Sequence, residues 1–94
     1  MAAAGIASSD FGYVNYIISR ESGWNTTAEG LPPGGPYKGA YGLCQANPGS
    51  KMASAGKDWL NNPVTQLKWC KGYASSRYGG WAGAYNHWST YHSW

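Results

Sequence analysis

The stretch SDFGYVNYIISRESGW, residues 9–24, decides the fold. Phe11, Val14, Ile17, Ile18 and Glu21 recur three or four positions apart, which is the period of one helix face and not the alternation of a strand. Ser8 or Ser9 can cap the first turn, and Asp10 suits its positive end. Gly23 stands where a helix commonly turns left-handed, with Trp24 placed to pack back on the last turn. The spacing therefore predicts a helix over residues 9–22. Working outward, the run LPPGGP at residues 31–36 cannot sustain a helix and has weak hairpin potential. Residues 25–42 read as a loop, and a loop above about 12 residues in a compact domain is commonly functional or mobile. A short helix is expected over residues 51–55, capped by Ser50. Asn62-Pro63 sets an N-cap and an N1 proline in order, opening the longest helix, which runs to about Tyr78 and ends at Gly79-Gly80. A last helix is expected from Trp81 to Trp88 or slightly beyond. Upstream, residues 1–8 read as a flexible segment, and the opening MAAA reads as the start of an excised domain.

Ninety-four residues and 10.1 kDa fit one domain spanning residues 1–94, with no internal repeat and no second boundary. Charged side chains make up 12% against an ordinary ~25%, and aromatics 16%, a balance that argues against disorder. No apolar run approaches the ~18 residues of a membrane span, and the opening residues lack a basic n-region before a long apolar h-region. The chain is expected to be soluble. Leu, Ile and Val number only nine, so aromatic rings must supply much of the core. A domain this small buries about 60 to 65% of its chain surface, so fifteen large rings cannot all be interior. Exposed Trp and Tyr among few charges suit sugar rings, whose CH faces stack on aromatics; the plainer reading is a crowded aromatic core with tyrosine tips at the surface. The net charge is +3, but the seven cations are scattered and form no basic run, which argues against nucleic acid and suits a polyanionic cell wall.

Cys44 and Cys70 lie 26 residues apart. Metal-ligand pairs prefer tighter spacing, and His87 and His92 read as surface aromatics, so no metal is expected. The two thiols are either buried separately or bridged. The bridge is favoured because its loop would contribute about 3.5 kcal/mol to a domain with a thin aliphatic core, and it implies an oxidising compartment.

Only four carboxylates exist: Asp10, Glu21, Glu29 and Asp58. Asp10 is a helix-start charge, Glu29 sits in the Gly/Pro loop, and Asp58 can cap a short turn. Glu21 differs, because it follows Val14, Ile17 and Ile18 by seven, four and three residues, on the apolar face at the helix end nearest the loop. Partial desolvation and the negative end of the helix dipole both favour its protonated form, as a general acid requires. The alternative is a surface glutamate paired with Arg20 or a nearby lysine.

Three separated segments carry a family resemblance. ISRESGW at residues 18–24 resembles the E-S segment of lytic transglycosylases of the soluble type, whose glutamate is the sole catalytic carboxylate. Gly42-Leu43-Cys44-Gln45 is similar to their G-L-M-Q segment, with Cys in place of Met, and Ala84-Tyr85-Asn86 is similar to A-Y-N. The Asn62-Pro63 helix leading to RYGGW at residues 77–81 resembles the stretch before A-Y-N, so the likeness runs roughly from residue 9 to 88. The chain departs from the pattern in a Pro/Gly insertion at residues 29–39 and in His87, where Ala-Gly is usual. Its size and cysteines also resemble resuscitation-promoting-factor domains, a related group.

The resemblance implies a mainly α, lysozyme-like single domain of the soluble-transglycosylase or goose-lysozyme kind, with a cleft between the Glu21 helix and the other two segments. It implies that Glu21 is catalytic and that Ser22, Gly42, Leu43, Gln45, Tyr85 and Asn86 meet substrate, with Tyr85 reaching the glutamate. The implied partner is the peptidoglycan glycan strand, cleaved without a cofactor between N-acetylmuramic acid and N-acetylglucosamine to leave a 1,6-anhydro end. A monomer at the cell wall or in a phage tail is implied, with no membrane insertion. Two rivals stand beside it: a hydrolytic muramidase that positions water with Asp58 or Glu29, and a non-catalytic wall-binding or phage-tail module.

Overall fold

A computed structural model describes residues 1–30 and 33–94. Within the described residues four α-helices follow one another: α1 (Phe11–Glu21), the single turn α2 (Gly35–Lys38), α3 (Pro63–Tyr78) and α4 (Trp81–Tyr91). Tighter 3-10 turns form at Ala2–Ala4, Ser8–Asp10 and Gly49–Ala55. Among the described residues there is no strand, only isolated bridges that join Glu29 to Tyr41 and Tyr41 to Ala46. Among the described residues no helix is long and apolar enough to cross a membrane.

Local chemistry sets the helix ends. The Val64 N–H donates to the Asn62 side chain at 2.9 Å, and Pro63 follows at N1, where a missing N–H costs nothing. Gly79 closes α3 in the left-handed conformation. At the end of α1 the N–H groups of Ser22 and Gly23 both return to the Ile18 carbonyl, and Gly23 takes φ +62°. Trp24 folds back as its position suggests, its indole N–H donating to Asn15 Oδ1 at 2.9 Å.

Four expectations need correction. Neither Ser8 nor Ser9 caps α1; a 3-10 turn runs straight into it, and no side chain makes a capping bond there. The Gly/Pro loop does hold one helical turn, α2, because Pro36 falls in its first turn, where proline is tolerated. Leu31 and Pro32, also part of that reading, lie outside the described residues. Ser50 does not cap the following turn, which begins at Gly49 after Pro48. Residues 1–8 are not a loose segment: Ala4 and Ile6 are buried in the core, and Lys71 Nζ donates to the Gly5 carbonyl at 2.8 Å.

The main core joins Val14, Ile17 and Ile18 of α1 to Leu43 and Cys44 of the loop, Leu67, Cys70 and Ala74 of α3, and Trp81 and Ala84 of α4. Cys44 and Cys70 form a disulfide across Cα atoms 6.2 Å apart, fastening the loop to the middle of α3. A second cluster of Tyr41, Ala46, Met52 and Trp59 lies beneath the loop, and Trp69 touches both. Core and surface share the aromatics, with Trp81 and Trp59 buried and Trp24, Tyr37 and Tyr91 exposed.

Candidate functional site

Glu21 is the last residue of α1, on the face whose neighbours one turn back are fully buried, so its carboxyl is half-buried where α1 meets α4. Burial pushes its pKa above the ordinary glutamate value. The Trp88 indole N–H donates to Glu21 Oε1 at 3.1 Å and works weakly the other way. That bond occupies one oxygen and leaves Oε2 to carry a proton. The charge of Glu21 also reaches Tyr73 of α3, whose phenol is raised mainly by its own burial.

Asp58 and Glu29 are committed elsewhere, and Asp10 stands at the opposite end of α1 from Glu21. Asp58 accepts from the Thr65 hydroxyl and from Asn62 Nδ2 at the start of α3, and these bonds hold its pKa below the usual aspartate value. Glu29 is exposed and accepts from the Gly35 N–H at 2.9 Å, pinning the loop to α2. Both are acceptors in local structure.

Residues 42–45 meet the end of α1 through Ser22, whose hydroxyl donates to the Leu43 carbonyl at 2.8 Å and lies 3.3 Å from the Ile18 carbonyl. One hydroxyl thus joins two of the segments singled out in the sequence. Leu43 is fully buried and offers a ligand no side-chain surface, in contrast to its expected contact with substrate. Gly42 is buried at φ +83°, and a Cβ there would stand 2.7 Å from Gln66 Oε1, so the close approach it permits is to a protein amide and not to a sugar. Gln45, at φ +54°, donates through Nε2 to the Ala28 and Gly42 carbonyls at 3.0 and 2.9 Å. Its donors hold the loop.

Gln66 holds this arrangement together and was not singled out in the sequence. Completely buried in α3, it accepts from the Leu43 N–H at 2.9 Å and donates to the Thr26 and Trp59 carbonyls, each at 2.9 Å. The only signal was its place four residues before Cys70 on a helix with few apolar side chains.

Tyr85 makes no hydrogen bond to Glu21. Its ring packs on Tyr13 and Tyr16 with centroids 5.2 and 4.8 Å away, and the three tyrosines wall a groove of about 310 Å3 along the seam of α1 and α4. The glutamate partner is Trp88, one turn further along α4, which stands edge-on to Tyr16. Arg20 lies over the Tyr16 ring at 3.6 Å, so the cation beside Glu21 in sequence pairs with an aromatic face. The Asn86 side chain is exposed. His87 lies against Tyr78 and Tyr91, and its Nδ1 is 2.9 Å from the Ser93 carbonyl. The described residues contain no cluster of three or more His, Cys, Asp or Glu that could hold a metal ion.

No protein-family model, curated protein or solved structure matches the chain.

Proposed function

We propose that the chain is a peptidoglycan lytic transglycosylase with Glu21 as its single acid and base. The observation that carries the reading is the half-buried Glu21 carboxyl, raised in pKa by burial, held by Trp88 through one oxygen, and tied by the adjacent Ser22 hydroxyl to residues 42–45. Glycoside cleavage with one carboxylate requires the substrate to supply its own nucleophile. Protonated Glu21 gives its proton to the leaving glycosidic oxygen as the muramoyl 2-acetamido oxygen attacks the anomeric carbon. The Glu21 carboxylate then takes the proton of the C6 hydroxyl, whose oxygen closes on the same carbon, expels the acetamido oxygen and leaves a 1,6-anhydro ring. The local bonds of Asp58 and Glu29 favour this route over a hydrolytic muramidase that enlists either one. A disulfide-bonded domain fits secretion to the wall, or a phage tail.

The test is turnover of purified peptidoglycan by Glu21→Gln, Asp58→Asn and Glu29→Gln. Loss of one group acting as both acid and base should cost Glu21→Gln at least the 10² to 10⁴ typical of general acid-base catalysis. The other two should keep substantial activity. Release of muropeptides by Glu21→Gln at the parent rate removes the assignment, and turnover by no form of the protein favours the wall-binding module.

A further inference from the structure

A groove of about 480 Å3, whose lining does not include Glu21, runs between the Gly49–Ala55 turn and α3, a volume within the range of ligand sites. Its floor is Gly72 and its wall is the stacked pair Trp69 and Tyr73, with centroids 5.1 Å apart and planes 24° from parallel. Lys68, Ser54 and Ser76 supply polar groups around it.

Gly72 lies inside a 16-residue helix, where glycine is a poor choice beside alanine, and there, as at Gly12 of α1, a Cβ would meet nothing within 4 Å. Gly42, Gly49 and Gly83 differ, since a Cβ on each would collide with neighbouring atoms. Gly72 is exposed and faces open space, so the aromatic pair beside it is reached from solvent. The aromatic wall also forms one side of a smaller cavity of about 120 Å3, lined by Gln45, Asn47 and Trp94. The ridge therefore stands between the Gly72 groove and the residue 42–45 loop.

We infer that the Gly72 groove is a subsite for a sugar ring of the glycan strand, separate from the Glu21 carboxyl and reached along α3. The inference rests on the peptidoglycan reading of Glu21. The aromatic wall takes the CH face of a pyranose. The Ser54 and Ser76 hydroxyls, which donate to the Lys51 and Tyr73 carbonyls, keep lone pairs for sugar hydroxyls. Lys68 at the groove's edge adds a donor for a ring hydroxyl.

The probe is the β-1,4-linked tetramer of N-acetylglucosamine, titrated into ¹⁵N-labelled protein and measured by calorimetry. The amides of Lys68, Gly72, Tyr73 and Ser76 should shift on binding. Gly72→Gln fills the floor and should weaken binding about three- to tenfold, the effect of losing one aromatic contact, while its melting temperature equals or exceeds that of the parent. Gly72→Ala, which adds one methyl, should melt higher and bind more tightly than Gly72→Gln. A tetramer that moves the Glu21 and Gln45 amides, leaves those four still and binds Gly72→Gln equally well overturns the groove assignment and spares the reading of Glu21. A tetramer that binds nowhere overturns the groove, and if purified peptidoglycan is also left uncut the reading of Glu21 falls with it.

Discussion

Replacing Gln66 with leucine puts a number on what holds residues 42–45 beside Glu21. The substitution keeps approximate volume but strands the Leu43 N–H and the Trp59 carbonyl, both in buried bonds to Gln66. The Thr26 and Leu60 carbonyls, also within reach of Nε2, are only partly enclosed and can take water instead. Each orphaned buried group costs about 1–3 kcal/mol, so two cost about 2–6. The more apolar side chain returns about 1–2 kcal/mol. The net loss centres at about 2.5 kcal/mol in a domain whose total stability is on the order of 5–14 kcal/mol. In melting temperature that is about 10–20 °C. Urea unfolding followed by circular dichroism, with the bridge intact, should show an earlier midpoint at an unchanged slope. A loss below about 1 kcal/mol would refute the claim that this amide is the tie between α3 and the loop.

Glu21→Gln should be more stable than the parent at neutral pH, because it removes a carboxyl that folding holds toward its protonated form. With the folded pKa raised, the glutamate contributes fully below its unfolded value of 4.5, and that contribution is lost as pH rises through the folded pKa, so the gap between the two melting curves should close in acid. A gap independent of pH would deny the burial. Trp88→Phe removes the N–H bond that opposes this shift, so the Glu21 titration, followed by carboxyl NMR, should move further upward; a downward move would contradict the contact. Reducing Cys44–Cys70 should cost about 3.5 kcal/mol in unfolding, since a 26-residue separation is opened. Reduced protein unfolding at the same urea concentration as oxidised would contradict that.

The helices were legible because their signals are local. The spacing of Val14, Ile17 and Ile18, the Asn62-Pro63 pair and Gly79 each act within a few residues, and each sits where the structure uses it. Ser8, Ser9 and Ser50 misled because a polar residue before a helix is only a potential cap, and a 3-10 turn or a preceding proline can occupy that role. The docking of Ala4 and Ile6 was invisible because it depends on a partner, Lys71, some 66 positions away from Gly5. The site divides in the same way. Burial of Glu21 followed from its helix face, whereas the Trp88 bond spans 67 positions and the Gln66 bonds reach up to 40, distances at which spacing carries no information. Gly42 and Leu43 sit where the loop must pack, and packing claims them.

The most direct measurement is the mass of the fragments released when this chain digests purified peptidoglycan. If Glu21 works without a second carboxylate, the C6 hydroxyl, held at high effective concentration inside the substrate, captures the anomeric carbon ahead of water. The muramoyl ends should then be anhydro ends, one water lighter than hydrolysed ends and inert to borohydride. Predominantly reducible muramoyl ends would contradict the account by showing that water is the nucleophile.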